Sequence, residues 1–172
     1  LRTHRHTAAS PLALTVAFSA VLDTCVLYPA IVRDTLLTLA DAGLYEPRWS
    51  HHILDELQRN LAELIAPERA TRLIGQLHMA FPHATVEGYL ALLPAMTCHE
   101  NDRHVLAAAV RSGSGALVTF NLRHFPATCT ANFDVEVVST DDFLLDLLDL
   151  APARVLESLH DMLRRYQKPP RD

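Results

Sequence analysis

The hydrophobic positions of this chain form short continuous runs that alternate with longer segments of helical periodicity. Residues 16–22 are largely apolar and end at Asp23, and a run of this length before a helix start is typical of a buried parallel strand. The next segment repeats its apolar residues at helical spacing as far as Gly43, which predicts a helix that ends there. The opening of the chain therefore predicts one strand and one helix of an α/β unit.

Further along the chain, predicted helices and strands continue to alternate. Helices are predicted at residues 51–65 with Ser50 as the N-cap, from Pro67 onward, at 102–111 between Asn101 and Gly113, from 139 or 140 to 150, and from Pro152 to 166. Candidate strands lie at residues 95–98, 116–120 and 134–138. This order predicts an α/β fold with three layers, in which a central parallel sheet of four to five strands lies between helices.

The length of the chain favours a single domain. A chain of 172 residues can bury one core, and we expect a flexible leader at 1–15, a main domain at 16–150, a helix packed on it at 151–166 and a disordered tail at 167–172. The basic start of the leader also suits a signal peptide. Pro11 and the lack of a small-residue cleavage site favour the leader instead.

Charge and cysteine content narrow the class of protein. A net charge of −5 argues against a protein that binds nucleic acid only through a basic surface, although nearly all its basic residues are arginines, which suit phosphate contacts. The three cysteines are widely spaced and form no Cys-x-x-Cys pair, which is typical of reduced thiols in the cytoplasm. No apolar stretch approaches the roughly 18 residues that span a bilayer, so no membrane partner is expected.

Three acidic residues stand out by their positions on the predicted elements. Asp23 follows the first strand, at the end where open α/β sheets bind ligands, and is either a catalytic or metal-binding group or a cap. Glu56 lies on the flank of an apolar helical stripe, only slightly better placed to reach inward than Asp55 or Glu63, and a solvated Glu56 fits equally well. Asp102 lies near the centre of a buried stripe, where a carboxylate must be hydrogen-bonded, paired or metal-bound, unless it only caps the helix.

These acids predict a metal site at one edge of the sheet. Three carboxylates at one edge repel each other unless a cation lies between them, and oxygen-only ligation selects Mg²⁺ or Mn²⁺. Such ions activate water and neutralise a phosphodiester, so Asp23, Glu56 and Asp102 predict a phosphodiester-cleaving site. Asn121 follows the strand at 116–120 and either supports this site or forms an Asx turn.

Four blocks of the sequence resemble the PIN-domain ribonucleases, and most closely the VapC-type toxins of bacterial toxin–antitoxin pairs. The blocks are VLDTCVLYP at 21–29, WS at 49–50 with LDEL at 54–57, DRHVLAAA at 102–109 and VTFNLRHFP at 118–126. Their order matches the family from about residue 17 to 150. The resemblance implies a PIN-like α/β/α fold, Mg²⁺- or Mn²⁺-dependent cleavage of RNA, a homodimer, and inhibition by a cognate antitoxin protein.

The resemblance also assigns roles to individual residues. It implies that Asp23, Glu56 and Asp102 are catalytic and bind the metal, that a metal-activated water attacks the RNA, and that Asn121 supports catalysis. Five further residues near the expected edge are candidates for substrate binding: Thr24, Arg103, Thr119, Arg123 and His124.

One position departs from the family pattern. His124 stands where the Asn-Leu-x-Asp-Phe-Pro form of the motif has Asp, which leaves binding of a second metal open. His124 either contacts a phosphate, binds a softer metal together with His99 or His104, or faces solvent as a loop residue. Two alternative functions follow: a catalytically weak PIN-like module that binds proteins, or a PIN nuclease that processes RNA and is not a toxin.

Overall fold

The computed structural model describes residues 18–166, in which a five-stranded parallel sheet is flanked by helices. The strands are β1 Ser19–Leu22, β2 Glu46–Ser50, β3 Thr85–Val86, β4 Ala116–Val118 and β5 Glu136–Val138. Their order in the sheet is β3-β2-β1-β4-β5, and each neighbouring pair is parallel. The predicted α/β fold with a parallel sheet of four to five strands is confirmed. The predicted leader at 1–15 and tail at 167–172 lie outside the described residues.

Helices connect consecutive strands, as parallel pairing requires. They are α1 Thr24–Leu27, α2 Ala30–Asp41, α3 His51–Ala62, α4 Pro67–Ala80, α5 Arg103–Ser112, α6 Ala127–Thr130, α7 Thr140–Leu150 and α8 Pro152–Arg165. Three short 3₁₀ helices lie at Tyr89–Ala95, Glu100–Asp102 and Leu122–His124. In the described part of the chain, no helix is long and apolar enough to cross a membrane.

Local capping chemistry sets several helix ends where the sequence predicts them. The Ser50 hydroxyl accepts a hydrogen bond from the Ile53 amide at 3.2 Å and so caps α3. Gly113 ends α5 with a positive φ of 65°, a conformation that glycine adopts without steric cost. The prediction that Asn101 caps α5 is wrong. A 3₁₀ helix precedes α5, and Asp102 occupies its N-cap position without a side-chain capping bond.

The predicted strand at residues 95–98 is also wrong. Met96 and Cys98 are buried and Thr97 between them is exposed, so the segment alternates like a strand, but it pairs with no neighbour. Its place in the sheet is taken by β2 and β3. Those strands are harder to recognise, because β2 contains Glu46, Pro47 and Arg48 and β3 is two residues long.

Strand β1 lies at the centre of the sheet, and its side chains are part of the hydrophobic core. Its residues Ala20, Val21 and Leu22 are fully buried. At the carboxyl end of β1, the Asp23 amide donates to the Val118 carbonyl of β4 at 3.1 Å. This bond places Asp23 beside Thr119, the first residue after β4.

The last helix packs against α2. Val155 and Met162 of α8 are buried, the Arg154 guanidinium donates to the Ala42 carbonyl, and the Tyr166 hydroxyl donates to the Asp34 carboxylate. Residues 151–166 therefore contact α2.

Candidate metal centre

Asp23 is a buried carboxylate at the carboxyl end of the central strand. It is 3% exposed, and its Oδ2 accepts hydrogen bonds from the Thr119 hydroxyl at 2.6 Å and the Cys25 thiol at 3.1 Å. Within residues 18–166, no Lys, Arg or His forms an ion pair with Asp23. A buried carboxylate without a countercharge is costly, so this position suits a cation.

The Cys25 thiol serves as a donor to Asp23 rather than as a nucleophile. Burial, followed by the charge of Asp23, raises the pKa of Cys25 to about 12. The thiol therefore keeps its proton at neutral pH, and its hydrogen bond to Asp23 persists.

Thr24, the residue that follows Asp23, contacts the Glu56 side chain. The Thr24 hydroxyl lies 3.0 Å from Glu56 Oε2 and 3.2 Å from the Ile53 carbonyl, and can donate to either. Glu56 has a side chain that is 41% exposed, which leaves it open to solvent on one side. Asp55 is exposed, so of these two neighbours the structure turns Glu56 toward the site. We call Asp23, Thr24, Glu56 and Thr119 the Asp23 corner.

Asp102 is held by two histidines. Its side chain is 14% exposed, and Oδ2 lies 2.9 Å from His124 Nδ1 and 3.3 Å from His99 Nδ1. The two imidazoles stack with their centres 4.8 Å apart and 21° between their planes. His124 is thus part of this cluster rather than a solvent-facing loop residue. We call His99, Asp102 and His124 the Asp102 corner.

His104 lies beside Glu56 of the Asp23 corner and two residues after Asp102, and the sequence offers it as one of two possible partners of His124 for a softer metal. Burial lowers the pKa of His104, while the carboxylates of Glu56, Asp23 and Asp102 each raise it. The nearest of them, Glu56, has its Oε2 4.0 Å from His104 Nε2. The sequence signal for His104 was weak, because one histidine on a helix is usually a packing residue.

Asn121 and Thr119 lie at the end of β4. Thr119 is fully buried, and its hydroxyl accepts from the Asn121 amide at 3.0 Å while it donates to Asp23. Asn121 therefore reaches the site through its backbone. Thr119 is placed to orient Asp23, since a fully buried side chain cannot touch a substrate.

The arginines proposed for substrate binding are exposed beside the site. Arg103 and Arg123 both have exposed side chains, and Arg103 Nε donates weakly to the Cys98 carbonyl at 3.4 Å. A groove of about 640 Å³ is lined by Arg103 and Arg59 together with His52, Glu56 and His104. It brings basic side chains to the exposed flank of Glu56.

The donor chemistry of the Asp23 corner fits a divalent cation. The side-chain donors available there are carboxylate and hydroxyl oxygens, the ligands that Mg²⁺ and Mn²⁺ prefer, and Asp23 lacks a countercharge among the described residues. Asp23, Glu56 and Asp102 are the residues that would hold it.

Comparison with known proteins identifies the class. Residues 19–123 match the PIN domain, which is more than half of the chain. The chain therefore belongs to the PIN-domain family, as the resemblance of its sequence blocks predicted. Residues 140–172 match the VapC50 C-terminal domain.

One relative is informative about the type of PIN domain. The chain is 43% identical over 83 residues to a protein of Mycobacterium tuberculosis named "Putative ribonuclease VapC50". The match covers 48% of this chain and 49% of the relative, so the chain spans about half the length of the curated relative it matches. No solved structure gives a significant match.

Proposed function

We propose that this protein is a divalent-metal-dependent endoribonuclease that acts as the toxin of a toxin–antitoxin pair in the cytoplasm. The PIN-domain match and the relative named as a VapC ribonuclease support the class of activity. The observation that carries the proposal is the position of Glu56, whose Oε2 lies 3.0 Å from the hydroxyl of Thr24, the residue after Asp23, and 4.0 Å from Nε2 of His104, two residues after Asp102. These two contacts support the gathering of the three acids at one cation-dependent site.

The chain's own residues position the site. Asp23 and Asp102 would hold Mg²⁺ or Mn²⁺, and Glu56 would hold the ion or orient water. Thr119 and Thr24 fix the carboxylates of Asp23 and Glu56 through their hydroxyls. A bound divalent cation would supply charge neutralisation at the phosphodiester and a stronger water nucleophile.

RNA would approach along the groove beside Glu56. Arg103 and Arg59 line that groove, and guanidinium groups make bidentate contacts with phosphates. Arg123 is exposed on the turn next to His124 and would extend this contact surface.

The same acids explain how a partner protein would inhibit the enzyme. An antitoxin that placed an Arg or Lys side chain against Asp23 or Glu56 would neutralise the charge that the metal otherwise balances. The chain would act as a homodimer, as the family resemblance implies.

The decisive experiment measures RNA cleavage by the purified chain, free of antitoxin, with Mg²⁺ or Mn²⁺ added back after chelation. Asp23→Asn and Glu56→Gln should each lower the cleavage rate by at least about 100-fold, the usual cost of removing a preorganised electrostatic group. The matched control is Asp55→Asn, because Asp55 is an exposed acid next to Glu56 and should leave the rate unchanged.

Two outcomes would contradict the proposal. No cleavage of any RNA at any metal concentration would favour the protein-binding module. Cleavage combined with normal growth of bacteria after induced expression would favour an RNA-processing nuclease.

A further inference from the structure

The Asp102 corner has a different chemistry from the Asp23 corner. It offers two imidazoles and one carboxylate, and the Nδ1 atoms of His99 and His124 both lie against Asp102 Oδ2. One nitrogen of each imidazole and one Asp102 carboxylate oxygen all lie within 4.8 Å of one another. Two histidines and one carboxylate bind transition-metal ions, whereas Mg²⁺ prefers oxygen ligands alone.

The distances already approach those around a metal ion. Two ligand atoms that each lie about 2.1 Å from one ion are about 3.0 Å apart at an octahedral angle and about 3.4 Å at a tetrahedral angle. The Nδ1–Oδ2 distances are 2.9 Å for His124 and 3.3 Å for His99. One nitrogen of His99 and one nitrogen of His124 lie within 4.8 Å of each other, so an ion between the two rings is within reach of both.

Backbone hydrogen bonds hold the three residues together independently of their side chains. The Asp102 amide donates to the His99 carbonyl at 2.9 Å, and the His99 amide donates to the His124 carbonyl at 3.3 Å. These bonds join the start of the 3₁₀ helix at Glu100–Asp102 to the turn at Leu122–His124. The ligand atoms are therefore brought together by the fold.

The Asp102 corner is also open to solvent, and no basic Lys or Arg side chain of the described residues occupies it. Within residues 18–166, the Asp102 carboxylate has no Lys or Arg partner within 4.0 Å, and its close contacts are with the imidazoles of His99 and His124. The His99 side chain is 48% exposed and that of His124 is 28% exposed, which gives an ion a path from solution and leaves positions for water. Three protein ligands with an open position are typical of catalytic rather than structural zinc sites.

We propose that His99, Asp102 and His124 form a site for a transition-metal dication with affinity for imidazole, such as Zn²⁺ or Co²⁺, and that this site prefers such ions over Mg²⁺. Binding at this site is independent of RNA cleavage, although Asp102 belongs to both. Only its consequence for catalysis, that a transition metal supports or replaces Mg²⁺ at Asp102, rests on the proposed function.

The test uses Co²⁺ as the probe, because its visible absorption reports nitrogen and oxygen ligation directly. The full chain carries His4→Ala and His6→Ala, so that histidines near the start of the chain do not contribute. Co²⁺ should bind with one high-affinity equivalent, Zn²⁺ should displace it at stoichiometric amounts, and Mg²⁺ in large excess should not. Displacement by Mg²⁺ as easily as by Zn²⁺ would overturn the proposal.

Variants locate the site. His99→Gln and His124→Gln should each weaken Co²⁺ binding by at least about tenfold, since even removal of groups that merely orient a ligand lowers metal affinity about 10–100-fold. His160→Gln is the matched control, because His160 is exposed on α8 and should bind Co²⁺ like the parent. Equal Co²⁺ affinity in all three variants would show that the imidazoles only donate hydrogen bonds to Asp102.

The competition experiment needs no substitution, so it remains decisive if a variant folds poorly. Failure of the two proposals is distinguishable. A chain that cleaves RNA with Mg²⁺ but binds no Co²⁺ refutes the transition-metal site alone, and one that binds Co²⁺ but cleaves nothing refutes the nuclease alone.

Discussion

The Asp23 corner and the Asp102 corner hold the same kind of side chain by different means. Asp23 is almost fully buried and is fixed by the hydroxyl of Thr119 and the thiol of Cys25. Asp102 is more accessible and contacts two stacked histidines. On the two proposals above, the neighbours of each carboxylate set which cation it prefers: hydroxyl groups beside Asp23 and imidazoles beside Asp102.

The largest expected effect comes from removing the acid that both proposals share. Asp102→Asn should lower RNA cleavage by at least about 100-fold and should also abolish the Co²⁺ absorption, because it removes a ligand from each site. Asp23→Asn should lower cleavage equally but leave Co²⁺ binding intact. The matched control is Glu100→Gln, an exposed acid two residues away. If Asp23→Asn removed both signals, the two corners would form one site and the contrast between them would fail.

A second substitution should make the Asp102 corner resemble the Asp23 corner in its metal preference. His124→Asp replaces an imidazole with a carboxylate and restores the Asp of the PIN motif, so the corner would become richer in oxygen. We expect Co²⁺ to bind about tenfold more weakly and Mg²⁺ to bind more tightly. Calorimetric titration with each ion measures the two affinities and therefore their ratio. An unchanged ratio of the two affinities would mean that His124 does not set the preference.

A smaller effect is expected from the hydroxyl that supports Asp23. Thr119→Val keeps the shape of the side chain but removes the donor to a buried carboxylate, which should lower the free energy of unfolding by about 1.5–3 kcal/mol. Thr119→Ser retains the hydroxyl and should restore the contact with Asp23. Urea unfolding of the metal-free protein compares the three chains. A Thr119→Ser chain as unstable as Thr119→Val would point to packing of the methyl group instead.

The smallest effect concerns the pH dependence of stability through His104. Burial lowers the pKa of His104 in the folded state, so below the ordinary histidine value of about 6.5 the unfolded chain binds this proton more readily. Stability from the neutral imidazole is therefore present above that value and is lost as the pH falls. His104→Gln should flatten the rise in unfolding free energy between pH 5 and 7, at about the histidine pKa. His160→Gln should show the same pH dependence of unfolding free energy as the parent chain. An identical pH dependence in all three chains would show that His104 does not contribute to it.

The sequence predicted the strands that are continuous apolar runs and missed those that are not. The run before Asp23 and the segment at 116–120 both contain strands of the sheet. Strand β2 was hidden because Glu46, Pro47 and Arg48 interrupt its apolar pattern, although it buries Trp49 and pairs on both sides with β1 and β3. Residues 95–98 alternate correctly for a strand, but no neighbour offers them backbone partners.

The candidate site shows the same division between local and long-range information. The low exposure of Asp102 was predictable from the apolar stripe of the helix that follows it, although Asp102 itself lies at the N-cap position of α5. Glu56 and Asp55 were nearly equivalent by that geometry, and the contact that separates them, the Thr24 hydroxyl, comes from a segment 32 residues earlier. His99 and His124 were separate histidines in the sequence. Their pairing depends on a backbone bond between two turns, which periodicity cannot reveal.

The short outer strands have a consequence for how this molecule meets its neighbours. At one margin of the sheet β3 has two residues, and at the other β5 has three. Such short edge strands expose few unpaired backbone N–H and C=O groups, so another chain has little backbone with which to pair. Edge-to-edge pairing of copies into fibrils is therefore disfavoured.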